Sequence, residues 1–116
     1  MAVKNTGASN IDFDALSNVL LELNSPISEV LTSLNLNREI SREACFDMHS
    51  RALFLLLKGR EYLESEDPDN FEKLNENLLD FELDEGINSS LVKDLVLYTV
   101  YLRDLLCRGC RLHRDV

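Results

Sequence analysis

The sequence predicts an all-α fold: a four- to five-helix up-and-down bundle whose first helix is kinked or split at Pro26. Three observations predict it. Apolar residues recur at alternating spacings of three and four along successive stretches, the pattern of helices that each bury one stripe. No stretch alternates with the period of two that a half-buried strand requires, so no sheet is expected. Helix stop and start signals separate the stretches by short connections, which suit antiparallel neighbours. No internal repeat is visible.

The first stripe is Leu16, Leu20, Leu23, Ile27, Val30 and Leu34, widened by Val19 and Leu31. Asp12 or Asp14 supplies its N-terminal cap. Pro26 lies within the stripe, where proline removes a helical hydrogen bond and crowds the preceding turn. Either Ser25 caps a new helix with Pro26 at its first position or one long helix is kinked there; the stripe keeps its phase across Pro26, which favours a single kinked helix or two nearly collinear ones. The second helix begins near Asn37 to Ser41 and runs to about Ser65, with Ile40, Ala44 or Cys45, Met48, Ala52, Leu55, Leu56 and Tyr62 on its inner face. Ala52 to Leu57 is apolar nearly all round, so this centre is expected to be buried from more than one direction. Gly59 costs about 1 kcal/mol of helix propensity relative to alanine and would let a neighbouring helix approach closely.

Asp67-Pro68 starts the third helix, with a capping carboxylate followed by proline at the first helical position. Its stripe is Phe71, Leu74, Leu78 and Phe81, and Leu83-Asp84-Glu85-Gly86 ends it. The last helix starts around Asn88 to Ser90 and carries Leu91, Leu95, Tyr98, Leu102 and Leu105, broadened by Val92, Val96, Thr99 and Leu106. Residues 1–11 are small and polar without an apolar core, so they read as a disordered leader and not a secretory signal; 12–116 form one helical domain.

Composition narrows the function. The chain has 116 residues and a formal charge of −9, from 21 acids and 12 bases. Between Glu61 and Glu85 there are eleven acids and one base, Lys73, so the whole surplus sits on the third helix and its flanks. Such a balance argues against nucleic acid as a general partner, because phosphate binding needs surplus Lys and Arg. Apolar runs are too short to span a bilayer, which leaves a membrane role aside. Three cysteines are too few for a secreted disulfide scaffold and fit a reducing, cytoplasmic setting.

Candidate chemistry clusters at the C-terminus. Cys107 and Cys110 stand three apart on one helix face, with His113 beyond them, and Cys45 and His49 stand four apart on the second helix. Together they are the candidate ligands of a metal site. Arg108 and His113 form an Arg-x4-His pair on a late helix, which resembles the HEPN family of four-helix ribonucleases. That resemblance implies an arginine stabilising phosphate and a histidine in acid–base cleavage of RNA. Gly109 departs from it, since that family carries a polar residue after the arginine. His49 invites comparison with histidine phosphotransfer bundles, but Lys58 and Gly59 follow it too far downstream.

The expectation is therefore a small, acidic, non-enzymatic bacterial protein without a cofactor. It binds another protein as a regulator, small chaperone or immunity-type inhibitor. Glu72, Glu76 and Asp80 would meet the partner from the acidic helix, with Tyr98 and Tyr101 as anchors beside the apolar face of the last helix. Surplus apolar surface on that helix also suggests a homodimer. The alternative is a metal-binding or HEPN-like RNA-cleaving bundle built on the C-terminal Arg/His/Cys cluster.

Overall fold

The computed structural model describes residues 12–82 and 88–114, the last two by their backbone alone. The expected leader and the Leu83–Gly86 stop signal lie outside these residues. Five helices and no strand occur among them, so the chain is an all-α bundle: α1 Phe13–Asn35, α2 Arg42–Lys58, α3 Arg60–Glu66, α4 Pro68–Leu79 and α5 Ser89–Arg114.

Each boundary has a local cause. The Asp12 carboxylate accepts from the Ala15 N–H at 3.0 Å and opens α1. Pro26 is buried inside α1, which runs without a break from Phe13 to Asn35, so the helix is not split. Its C-terminal end is tied by two backbone bonds, Arg38 N–H to Ser33 O at 2.8 Å and Asn37 N–H to Leu34 O at 3.3 Å. Asn37 takes the left-handed conformation (φ 55°) that this closure requires, and asparagine tolerates it better than most residues. Ser41 caps α2 through Ala44 N–H at 3.2 Å. Asp67 caps α4, with Pro68 next to it at the first position, as the sequence predicts. The Asn88 side chain accepts from Ser90 N–H at 2.9 Å at the start of α5.

The second predicted helix is divided. Gly59 separates α2 from α3, yet its N–H still donates to Leu55 O at 2.8 Å and its carbonyl still accepts from Leu63 at 3.0 Å. A Cβ at Gly59 would sit 2.7 Å from the Leu106 Cδ2 on α5, and one at Gly109 would sit 2.9 Å from the Tyr62 ring. The two glycines therefore let α2, α3 and α5 approach more closely than side chains would permit. α4 ends at Leu79, so Phe81 falls beyond the helix, half-buried against the core rather than on a continuous stripe.

α1 packs on α2 and α5, and α4 covers the opposite side of the same two helices. Cross-links fix the directions. Arg51 of α2 reaches Glu22 of α1 at 2.7 Å, Arg103 of α5 donates to Asn24 of α1 at 3.2 Å, and His49 of α2 meets Leu78 of α4. Further along, Phe13 meets Cys110, Pro26 and Glu29 share a groove with Glu43 and Ala44, and Arg60 lies over the Phe71 ring, so α1, α2, α4 and α5 run up, down, up and down. The core they enclose includes Leu16, Leu23, Met48, Leu55, Leu63, Leu74, Leu78, Leu95, Leu102 and Leu106, all essentially without solvent exposure.

The centre of α2 is buried from more than one direction, as expected: Ala52, Leu55 and Leu56 are buried where α2 packs on α1, α4 and α5, while Leu57, 69% exposed, and Phe54 face outward. With Phe46, they form an outward apolar strip on α2. On α5, Val92, Val96, Leu105 and Leu106 are buried, so most of its broad face lies within the bundle, while Leu91 and Leu97 remain exposed. A wide stripe on a helix with neighbours on several sides reports depth of burial, and not a surplus. No helix among the described residues is long and apolar enough to cross a membrane.

Candidate functional site

Helix geometry separates the predicted partner-binding residues into two neighbouring sets. Phe71, Leu74 and Leu78 turn α4 inward, and at 100° per residue Asp69, Glu72, Glu76 and Asp80 then fall along its outward side. All four acids are exposed. The ion pairs among the described residues lie elsewhere, joining Arg51 to Glu22 and Asp47, Arg60 to Glu64, and Arg103 to Asp104. Lys73, the base among them in sequence, lies on the flank facing α5.

That flank holds the second set. Tyr98 and Tyr101 line a groove of about 200 Å³ between α4 and α5, together with Asn70, Lys73, Leu74 and Leu97. Tyr98 is half-buried in the wall. Tyr101 is already engaged, since its hydroxyl donates to the Asp67 carboxylate and accepts from Asn70 Nδ2 at 3.4 Å. Asn70 Nδ2 also donates to Asp67 at 2.7 Å. The bond from Tyr101, then that from Asn70, holds the Asp67 carboxyl below its ordinary range, and the same bond raises the Tyr101 phenol. The phenol thus fastens the first turn of α4 to α5, a role that sequence spacing does not reveal.

His49 has a structural partner. Its Nε2 donates to the Leu78 carbonyl at 2.6 Å, and its ring lies 4.9 Å from that of Phe81. Leu78 O is one of the last carbonyls of α4, which have no partner within their own helix. The imidazole on α2 thus closes the end of α4.

The cysteines divide as well. Cys45 is buried in α2, its thiol raised by burial, with Arg42 and Glu29 as its charged neighbours. Cys107 and Cys110 lie on α5 and line a different groove, of about 370 Å³, between α5 and α1. Its other walls are Ser17, Leu20, Leu21, Asn24, Arg103 and Arg111. Cys110 is buried and its Sγ donates to the Phe13 carbonyl at 3.7 Å, while Cys107 is half-buried. Burial, then the neighbouring Cys110, pushes the Cys107 thiol up, and Arg103 and Arg111 pull against that shift. Among the described residues no three His, Cys, Asp or Glu side chains gather where they could hold a metal ion together. The five predicted ligands are therefore not one cluster: Cys45 and His49 belong to other surroundings, and the His113 side chain lies outside the described residues.

Arg108 is exposed on α5, close enough to Tyr62 and Tyr101 for its charge to act on both phenols. Of the Arg-x4-His pair, its side chain is the described member. In sequence, Arg103 and Arg111 belong with Arg108 and Arg114 to a basic cluster at the end of the last helix, and their spacing also signals that they flank Cys107. Arg103, Cys107 and Arg111 repeat at a spacing of four and so share one face of α5. Compared with protein families, with curated proteins and with solved structures, the chain matches none.

Proposed function

We propose that the protein acts by binding, as a small regulator or inhibitor whose α4 presents an acidic face to a basic surface on a partner protein. The observation that carries this reading is the row Asp69, Glu72, Glu76 and Asp80: four exposed carboxylates along one side of a rigid helix with no ion pair to any described cation. Unpaired surface charge of one sign adds little to folding stability and much to the speed and specificity of association. Three unpaired cysteines suit a reducing, cytoplasmic setting for this activity. The test is capture from the native host with wild-type protein and with the triple variant Glu72→Lys, Glu76→Lys, Asp80→Lys. A partner held by wild-type, released by the variant and bound more weakly as salt rises supports the reading. Equal retention by both proteins overturns it.

A homodimer is a second reading, and it rests on Phe46, Phe54 and Leu57, the outward apolar strip of α2. Sedimentation of wild-type and Phe46→Ser/Leu57→Ser protein tests it. A dimer that the paired substitution dissociates supports it, and a wild-type monomer at micromolar concentration removes it.

A further inference from the structure

We propose that Cys107 and Cys110 form a two-coordinate site for a monovalent soft metal ion, copper(I), in the groove between α1 and α5. The two thiols stand one turn apart on α5, and both line the same groove of about 370 Å³. The remaining walls narrow the choice of ion. Among the described residues they contribute no carboxylate and no imidazole; besides the sulfurs they offer leucines, the Ser17 hydroxyl, the Asn24 amide and two guanidinium groups. Zinc takes four ligands and calcium or magnesium takes oxygen cages, which this groove lacks. Thiolate sulfur selects soft ions, and copper(I) is satisfied by two of them.

Charge points the same way. Binding breaks two S–H bonds and forms two S–Cu bonds; the two protons pass to water, and no electron is transferred. The product, a copper(I) bis-thiolate, carries one negative charge. Arg103 and Arg111 on α5 flank Cys107, with Asp104 as the opposing charge, and the described α1 residues that line the groove, Ser17, Leu20, Leu21 and Asn24, are uncharged. The guanidinium groups therefore compensate the charge that binding creates. Both thiols give up a proton on binding, so affinity rises with pH. Cys45 stands apart from this site, which makes it an internal control.

The test is anaerobic titration of the reduced full chain with copper(I) against bicinchoninate, a coloured copper(I) chelator. The expected result is one ion taken up per chain, lost in Cys107→Ser and in Cys110→Ser and kept in Cys45→Ala. Serine at position 110 can still donate to Phe13, and circular dichroism verifies that each variant is folded. Arg111→Glu, at an exposed position, keeps both thiols and is expected to weaken binding by about tenfold, as loss of an outer-shell partner does. Copper uptake that survives the paired Cys107→Ser/Cys110→Ser substitution, or wild-type protein that takes none from the chelator, overturns the proposal.

Discussion

Thr99 is fully buried on the inner face of α5, and its hydroxyl has no hydrogen-bond partner among the described residues. Leaving such a group unpaired costs roughly 1–3 kcal/mol, and valine fills nearly the same space without it. Thr99→Val is therefore expected to stabilise the protein by about 1 kcal/mol, measured as a higher urea midpoint with an unchanged slope. Tyr101 shows the opposite case, a polar group that is partnered where it looks free. A depressed carboxyl such as Asp67 contributes stability above its unfolded pKa that is lost as pH falls through the folded value. A raised phenol such as Tyr101 contributes stability below its unfolded pKa that is lost as pH rises through the folded value. Their bond thus acts across the neutral range. Tyr101→Phe should lower the urea midpoint at pH 7, and the gap to wild-type should close in acid once Asp67 is protonated. A gap of constant size across that range would mean that the hydroxyl acts independently of the Asp67 charge, and the absence of a gap at pH 7 would mean that the ring alone matters at this position.

At the scale of elements, the close approach of α3 and α5 is decided by a glycine and an aromatic ring. Placing alanine in a helix instead of glycine gains about 1 kcal/mol, whereas forcing a methyl group into a packed contact costs about 1–3 kcal/mol. With the Tyr62 ring 2.9 Å from the added Cβ, crowding wins, and Gly109→Ala is expected to destabilise by about 1 kcal/mol. In a Tyr62→Ala background the obstacle is gone, and the same substitution should become stabilising. Thermal or urea unfolding of the four proteins completes the cycle, and additive effects would show that the contact does not couple the helices. Most of the elements are legible in sequence. Asp12, Ser41 and Asp67 begin the helices that their capping chemistry predicts, and Pro68 sits at the position where its missing N–H does no harm. The early end of α4 is less legible. Phe81 keeps the spacing of the stripe and still leaves the helix, where the His49 side chain on α2 takes the Leu78 carbonyl and its ring meets that of Phe81 at a tilt.

Across the molecule, a surplus of negative charge concentrated on one helix sets stability against binding. Glu72 and Glu76 repel each other one turn apart, and the last turn of α4 carries no base to complement the helix dipole. Glu76→Lys replaces that repulsion with an attraction in the favourable order, so α4 should gain about 0.5–1 kcal/mol. If the acidic face serves a partner, this more stable protein binds it more weakly. Denaturation and salt-dependent binding measured on the same variant separate the two effects, and a variant both more stable and equally tight would deny the face its role.

Periodicity along the chain determined the helical stretches, their inner stripes and most of their ends, because those features arise from residues within a turn or two of one another. It did not determine the division at Gly59. Charge counting likewise located the acidic helix without a structure. Tertiary structure decided what each face meets. It turned Phe46, Phe54 and Leu57 outward, folded the wide stripe of α5 inward, buried Thr99 without a partner, and set Cys107 and Cys110 between two arginines and the leucines of α1. The reason is range. Spacing states which side chains share a face, but the neighbour of that face comes from a helix as far as 97 residues away, as where Cys110 donates to Phe13.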